Sequence, residues 1–496
     1  MFSKPRVATL LVFLGLLGCG GSETAPKTPS LAIGNDTTLL AEEGAALVAK
    51  DGNGVIVAPA KLQWASSDAS VATINGSGSV TAVAPGTTTI TVSSSVANTH
   101  LTLTVAPQFL QIATGETHSC GLTGRHQVYC WGTSFRGELG SATPLAPCEE
   151  VAANCSPTPV LAVTLKPQSL AAGSMFSCAL DSSGNASCWG ANFYGQLGNG
   201  TQVDNSTPQS VQGNHHFVQL VAGRFHACGI TDAQDAYCWG WDRSGQLGTG
   251  DVSTERCTFF AIDPCSTTPR LVIGGHKWAQ LTADERATCG LTIDGDTFCW
   301  GLDIGGNDGL FCQTAENLQG CSRTPIAVGT ANKFKSIIIG DVHRCEQRID
   351  ETLECWGAQY QGAFGNGTLD GSATPVTGAD GLAEPIFVSS RNGMCFLDDN
   401  HHARCWGDNS SGQDGEGFIH DFQIVPIDVF GGWSFEKLQT NGVSDHVCGI
   451  ITENGKGVCW GRGVFGQLGT GVMHNVVIPA LVQLLSPPSQ VSIAAR

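Results

Sequence analysis

Residues 178–190 read Cys-Ala-Leu-Asp-Ser-Ser-Gly-Asn-Ala-Ser-Cys-Trp-Gly. Two cysteines ten residues apart bracket a turn signal, Asp181-Ser182-Ser183-Gly184, which is itself flanked by apolar residues. The arrangement predicts a β-hairpin whose two strands carry facing cysteines. The phrase recurs along the chain. Cys130, Cys188, Cys238, Cys299, Cys355, Cys405 and Cys459 each open a Cys-Trp-Gly triplet, and Cys120, Cys178, Cys228, Cys289, Cys345, Cys395 and Cys448 precede them by ten residues, or eleven in the last copy. Successive triplets lie 50–61 residues apart. Self-similarity at that period marks a propeller or a solenoid rather than one irregular domain.

A facing pair in a hairpin has the Cβ separation that a disulfide requires. Seven bridges are therefore predicted, each joining the two cysteines of one hairpin. Three further pairs, Cys148 and Cys155, Cys257 and Cys265, Cys312 and Cys321, each close a small loop, and each second member is followed by Ser and then by Thr-Pro. Together they account for twenty of the 21 cysteines and leave Cys19. Two other readings compete. Zinc would need four ligands at paired short spacings, which no single repeat contains, and free buried thiols would suit a cytosolic chain.

The start of the chain argues against the cytosol. Lys4 and Arg6 precede an apolar run from Val7 to Leu17, too short to span a bilayer, and the run ends in Leu16-Leu17-Gly18-Cys19. This is a secretory signal, and Leu-x-Gly-Cys resembles the bacterial lipobox, which implies a lipid on Cys19. An ordinary cleaved signal with a chance cysteine is the alternative. Gly20 after the cysteine resembles lipoproteins passed on to the outer membrane. Residues 1–18 are thus expected to be signal peptide and 19–30, rich in Gly, Ser, Thr and Pro, a tether. The expected address is the bacterial cell envelope, at the outer membrane or cell surface, with membrane contact through the lipid alone.

Residues 31–106 hold short β-rich runs divided by turn residues. Thr88-Thr89-Ile90-Thr91-Val92 and Leu101-Thr102-Leu103-Thr104-Val105 alternate with period two, as strands with one buried face do. Trp64-Ala65-Ser66-Ser67-Asp68, Val71-Ala72-Thr73-Ile74, Gly78-Ser79-Val80-Thr81-Ala82 and Pro85-Gly86 resemble the bacterial immunoglobulin-like group 2 domain. The resemblance implies a β-sandwich acting as spacer or adhesive module. It contains no cysteine, so packing alone must hold it.

From 107 to 496 a second motif follows most triplets, as in Gly195-Gln196-Leu197-Gly198, Gly245-Gln246-Leu247-Gly248 and Gly466-Gln467-Leu468-Gly469. A Pro-led strand at Thr207-Pro208 and a strand at Val218-Gln219-Leu220-Val221-Ala222-Gly223 are read as completing a four-stranded unit. Tryptophan, Gly-Gln-Leu-Gly and Ala-Gly-x-x-His at these offsets resemble the regulator of chromosome condensation repeat, which implies a seven-bladed β-propeller. The fold expected is all-β, a seven-bladed β-propeller with an N-terminal immunoglobulin-like β-sandwich. Val491-Ser492-Ile493-Ala494-Ala495 reads like the same strand as Leu110-Gln111-Ile112-Ala113, so one is expected to complete the last blade while the other begins the first.

Function is less legible. A net charge of −18, with 25 basic against 43 acidic residues, weighs against a nucleic-acid surface. No nucleophile elbow, HExxH or paired-acid signature occurs, and no Lys-Ser or Lys-Thr follows the Gly-rich turns. No cofactor, metal or catalytic residue is predicted, and the chain is expected to be a monomer. His118, His226, His343 and His446 stand two residues before a hairpin cysteine, where a structural hydrogen-bonding role outweighs a metal ring. Asp294-Gly295-Asp296 and Asp398-Asp399-Asn400 suit hairpin tips for backbone reasons more than for calcium. The insertions at 141–157, 251–267 and 305–323 share one point in the repeat and hence one face, and Phe259, Phe260 and Phe311 lie in them. The reading is a non-catalytic surface propeller binding a protein or glycan. The alternative is an exported inhibitor similar to the β-lactamase inhibitory propeller. Guanine-nucleotide exchange on the nuclear GTPase Ran, the activity of the family's name-giving member, sits poorly with export.

Overall fold

A computed structural model of the chain describes residues 31–483, apart from 34–36, 41–43, 142–144, 146, 149–153, 163–164, 252, 259–261, 303–320, 329–331, 341–342, 380–387 and 390–391. Residues 178–190 form the hairpin that their spacing predicts. Asp181 Oδ1 accepts from the backbone N–H of Ser183 (2.8 Å) and of Asn185 (2.9 Å), and Gly184 takes the φ of 80° that the turn needs. The two flanking strands, Phe176–Asp181 and Ala186–Gly190, then pair with Cys178 opposite Cys188. All seven hairpins repeat this register, and in each the facing cysteines are bonded with Cα atoms 4.0–4.1 Å apart. Each hairpin lies within an antiparallel sheet that pairs its four main strands in chain order, and blade 3 adds Arg256–Thr258 at its outer edge, beyond Ile262–Leu271.

Seven such sheets span 109–161, 167–210, 217–271, 278–328, 334–377, 388–428 and 435–481, blades 1 to 7 of an all-β propeller. Two details differ from the sequence reading. Phe217–Ala222 pairs with His226–Thr231, so the strand at Val218 opens blade 3 instead of closing blade 2. The Thr-Pro pairs fall inside the outermost strands, as in Asn205–Ser210. An edge strand tolerates the missing N–H.

Closure follows the expectation at the first blade, which the strand at Leu110 begins, and departs from it at the last. Blade 1 opens with Phe109–Thr114 and blade 7 is completed by Val476–Leu481, so every blade is one continuous stretch of chain; residues 491–495 lie outside the described residues. Side chains and loops close the ring instead. Phe109 N–H donates to Gly455 O (2.8 Å), Gly471 N–H to Pro157 O (2.9 Å) and Lys437 Nζ to Leu110 O (3.1 Å). Phe109, Ile112, Trp131, Ile450 and Leu468 share one core across that joint.

The same logic runs round the ring. The triplet tryptophans are fully buried, and Trp131, Trp189, Trp239, Trp300, Trp406 and Trp460 each donate Nε1–H to a carbonyl of the preceding blade at 2.8–3.0 Å. A large ring fills the space between sheets while its one polar atom is satisfied. On the axial side the glutamines at one position of the first strand reach across. Gln111 donates to Leu170 O (2.8 Å) and accepts from Leu170 N–H (2.9 Å). Gln280 does the same with Ile337 and Gln219 with Leu281. The amide thus acts as one more strand residue between neighbouring blades.

The chain divides between Gln108 and Phe109. In the N-terminal unit, Thr37–Leu40, Asn98–Ala106, Gly86–Ser93 and Gln63–Ser66 form one sheet, the first pair parallel. Gly44–Ala46, Ser79–Ala82 and Ala72–Ile74 form a second, and Leu31–Ala32 pairs with Lys50–Asp51. The inward residues of the alternating runs, Val80, Ala82, Ile90, Leu101, Leu103 and Val105, make a sandwich core without sulfur. No α-helix occurs among the described residues.

Candidate functional site on the loop-bearing face

In an antiparallel blade the connections after the first and third strands emerge on the same side. One face of the propeller therefore gathers the Gly-Gln-Leu-Gly turns, the stapled insertions and the loops around the axis. The motif glutamine explains the turn. Gln196 Oε1 accepts from Tyr194 N–H (2.8 Å), while its own carbonyl accepts from Trp239 of the next blade (3.0 Å). Gln246, Gln413 and Gln467 do likewise, and Glu138 takes the place in blade 1, where burial pushes its carboxyl up to about 7.

An axial cavity of about 220 Å³ is lined by first strands, among them Gln111, Thr114, Leu170, Val221 and Gln280. On the loop-bearing side it is crossed by the connection after the first strand of blade 7. From Gln439 to His446 that connection is two residues longer than its counterpart from Ala113 to His118. Asn441 Nδ2 donates to Ala172 O of blade 2 (2.6 Å), and a Cβ on Gly442 would fall 2.8 Å from the Asp284 Cβ of blade 4. Around this cap Glu116, Arg224, Glu285 and Arg286 form a charged rim. Arg224 bonds Glu285 at 2.6 Å, Arg286 bonds the same carboxylate at 3.2 Å, and Ser174 donates to Glu116.

The stapled loops are bonded at Cys148–Cys155 and Cys257–Cys265; Cys312, Phe259, Phe260 and Phe311 lie outside the described residues. The blade 3 loop folds onto blade 2. Its cystine packs with Phe193, Tyr194 and Trp241, which are buried, and with Phe225. Asp263 of the same loop accepts from Trp241 Nε1 (3.1 Å) and from the Tyr194 hydroxyl (3.3 Å). Blade 4 meets blade 3 through Arg323 and the buried Asp242 at 3.3 Å.

Three of the four repeat histidines hold neighbouring blades together. His118 Nε2 meets Ser177 Oγ (2.8 Å), His226 Nε2 meets Thr288 Oγ1 (2.9 Å), and His446 Nε2 meets Ser119 Oγ (2.7 Å). At the equivalent place beside His343 stands Met394, and neither nitrogen of this buried ring finds a partner among the described residues. Burial holds all four well below the ordinary histidine range. Asp398 Oδ1 serves its own turn, accepting from Asn400 and His402 N–H at 2.9 Å each, and Asp296 pairs with Lys333. No cluster of three His, Cys, Asp or Glu side chains placed to hold a metal occurs among the described residues.

Blades 5 and 6 depart from the pattern. Asp414 occupies the place of the buried leucine in Gly-Gln-Leu-Gly, and Tyr360, Leu369, Phe418 and Ile419 are exposed on the same face. Neither feature belongs to the residues singled out from the sequence, although the Leu-to-Asp change was visible there.

The descriptions that match this chain agree with the geometry. Models of the regulator of chromosome condensation (RCC1) repeat match residues 183–230 and 459–496, and a second RCC1 model matches 109–138, 168–196 and 217–246. A bacterial Ig-like domain (group 2) matches 22–105. The chain carries RCC1 repeats behind a bacterial Ig-like domain. Its RCC1 propeller is similar to the ultraviolet-B receptor UVR8 of Arabidopsis thaliana, 26% identical over 388 residues that cover 76% of this chain and 82% of the receptor. It is 27% identical to the E3 ubiquitin-protein ligase HERC2 of Homo sapiens over 73% of this chain, a stretch that spans only 7% of that protein. The crystal structure of Prp20p from Saccharomyces cerevisiae, described with its binding properties to Gsp1p and histones, superposes with a TM-score of 0.60 at 20% identity over 73% of this chain and 87% of Prp20p. At that identity the likeness carries the fold alone.

Proposed function

We propose that this chain is a non-catalytic cell-envelope lipoprotein whose RCC1 propeller presents a binding face to a protein or glycan. The observation that carries the reading is the ring of seven disulfides, one inside each blade. Such bonds persist in an oxidising compartment, which is where the leader and Leu16-Leu17-Gly18-Cys19 would send the protein. In this reading a lipid on Cys19 anchors the chain, residues 19–30 give reach, and the Ig-like unit is a spacer. Similar sequence occurs in an ultraviolet-B receptor and in an E3 ubiquitin-protein ligase, so the similarity itself names no chemistry, and the binding role rests on the elaborated loop face.

Metabolic labelling with an alkyne fatty acid tests the anchor. The expected result is label in the membrane fraction that disappears with Cys19→Ser while the protein is still exported. Label that survives the substitution, or retention of unlabelled protein in the cytosol, would overturn the reading.

A further inference from the structure

The seam between blades 5 and 6 on the loop-bearing face is an uncovered copy of a seam that blade 3 covers. At the turn of blade 2, Phe193 and Tyr194 are 7% and 4% exposed because the cystine loop of blade 3 lies over them. Tyr360 stands three residues after its triplet glycine, as Phe193 does, yet it is 63% exposed. Blade 6 has no stapled insertion. Its outer strand, Phe422–Asp428, runs close beside the blade 5 turn, where Gly367 N–H donates to Ile424 O (2.8 Å) and a Cβ on Gly362 would meet Gln423 O. Leu369, Phe422 and Val425 add exposed apolar surface along this line.

Charge narrows the occupant. Between Trp356 and Glu436 the chain has two basic residues, Arg391 and Arg404, against ten acidic ones. Asp370 and Asp421 are exposed beside Leu369 and Phe422. A second copy would bring the same acidic surface against itself, and an anionic membrane would be repelled as well.

We infer that this seam docks a cationic polypeptide segment of a partner protein, its apolar side chains covering Tyr360 as the blade 3 loop covers Phe193 and its lysines or arginines facing Asp370 and Asp421. The inference rests on the propeller being a binding module and adds where it binds and what chemistry it accepts. Apolar contact supplies affinity at the centre and charge supplies steering and selection at the rim.

The test uses the full chain carrying Cys19→Ser and a fluorescein-labelled peptide of alternating Lys and Leu, read by anisotropy at low and at physiological salt. Peptides with Ser in place of Leu, or Glu in place of Lys, serve as controls. The Lys/Leu peptide is expected to bind, the Lys/Ser peptide about tenfold or more weakly, and the Glu/Leu peptide not at all. Tyr360→Ser with Leu369→Ser is expected to weaken binding about tenfold at both salts. Asp370→Lys with Asp421→Lys is expected to weaken it chiefly at low salt. Val218→Ser, at an exposed residue of blade 3, is expected to change nothing. All five positions are exposed, and unchanged melting curves would show that the variants fold. Equal binding by the Tyr360/Leu369 variant, or equal binding of the Lys/Ser peptide, would overturn the inference. So would self-association of the parent chain that this variant abolishes, or tighter binding to phosphatidylglycerol vesicles than to the peptide. A partner captured equally by parent and variant would leave the module reading standing and refute only the seam.

Discussion

Asp414 shows how much one side chain can depart from the repeat. Leu139, Leu197, Leu247, Phe364 and Leu468 fill its position in other blades, each fully buried. Burial, joined by the charges of Glu416 and Asp408, pushes the Asp414 carboxyl up to about 8. Glu346 reaches about 8 in the same way, because burial outweighs the pull of the Thr297 hydroxyl and of Arg344. A carboxyl whose folded value lies above its unfolded one contributes stability below about pH 4 that is lost as pH rises through the folded value. The buried histidines act in the opposite sense. Their folded values, about 3 to 4, lie below the unfolded 6.5, so their share is present above 6.5 and lost as pH falls. Stability is therefore expected to decline between pH 6.5 and 8. Asp414→Leu is expected to stabilise the propeller by about 1–3 kcal/mol at pH 8 and by less at pH 5. Urea denaturation at the two pH values checks this, and a gain independent of pH would contradict it.

Elements were the most legible scale. Facing cysteines around an Asp-Gly turn report a hairpin because a two-strand register depends only on local spacing, and all seven formed as read. The assignment of the strand at Val218 to the wrong blade has a physical reason: sequence shows that a strand exists but not which sheet accepts it. The glutamine clamps were illegible for a related reason. Gln111 and Gln280 look like any polar residue in a strand until the neighbouring backbone is in place. Gln280→Ala should cost about 1–2 kcal/mol by unpairing the amide and carbonyl of Ile337, measurable by chemical denaturation; a neutral result would make the clamp incidental. Replacing Cys228 and Cys238 together by Ala should cost roughly 3 kcal/mol, since the bridge restricts the unfolded chain. An unchanged midpoint would refute that share.

At the scale of the whole molecule, the absence of a shared closing strand among the described residues throws the last joint onto side chains and loops. The crossing at Asn441 and Gly442 adds a tie from blade 7 to blades 2 and 4 over the axis. Its signal, two extra residues before His446, was present in the sequence, but its destination required the ring. Gly442→Val should destabilise the propeller by about 1–3 kcal/mol through overpacking against Asp284, whereas an unperturbed melt would mean that the crossing carries no load. The three stapled insertions were placed on one face by symmetry alone; the described part of the blade 3 loop is spent on covering blade 2, and the open surface lies instead where such loops are lacking. The proposed export and binding face stand on the disulfides of the ring, sulfur chemistry that a cytosolic protein would not complete. Peptide mapping of unreduced, alkylated protein from cell envelopes tests this most directly. Seven cross-linked peptides are predicted, each joining the two cysteines of one hairpin, from Cys120–Cys130 to Cys448–Cys459. Alkylated thiols at those positions, or links between cysteines of different blades, would contradict it.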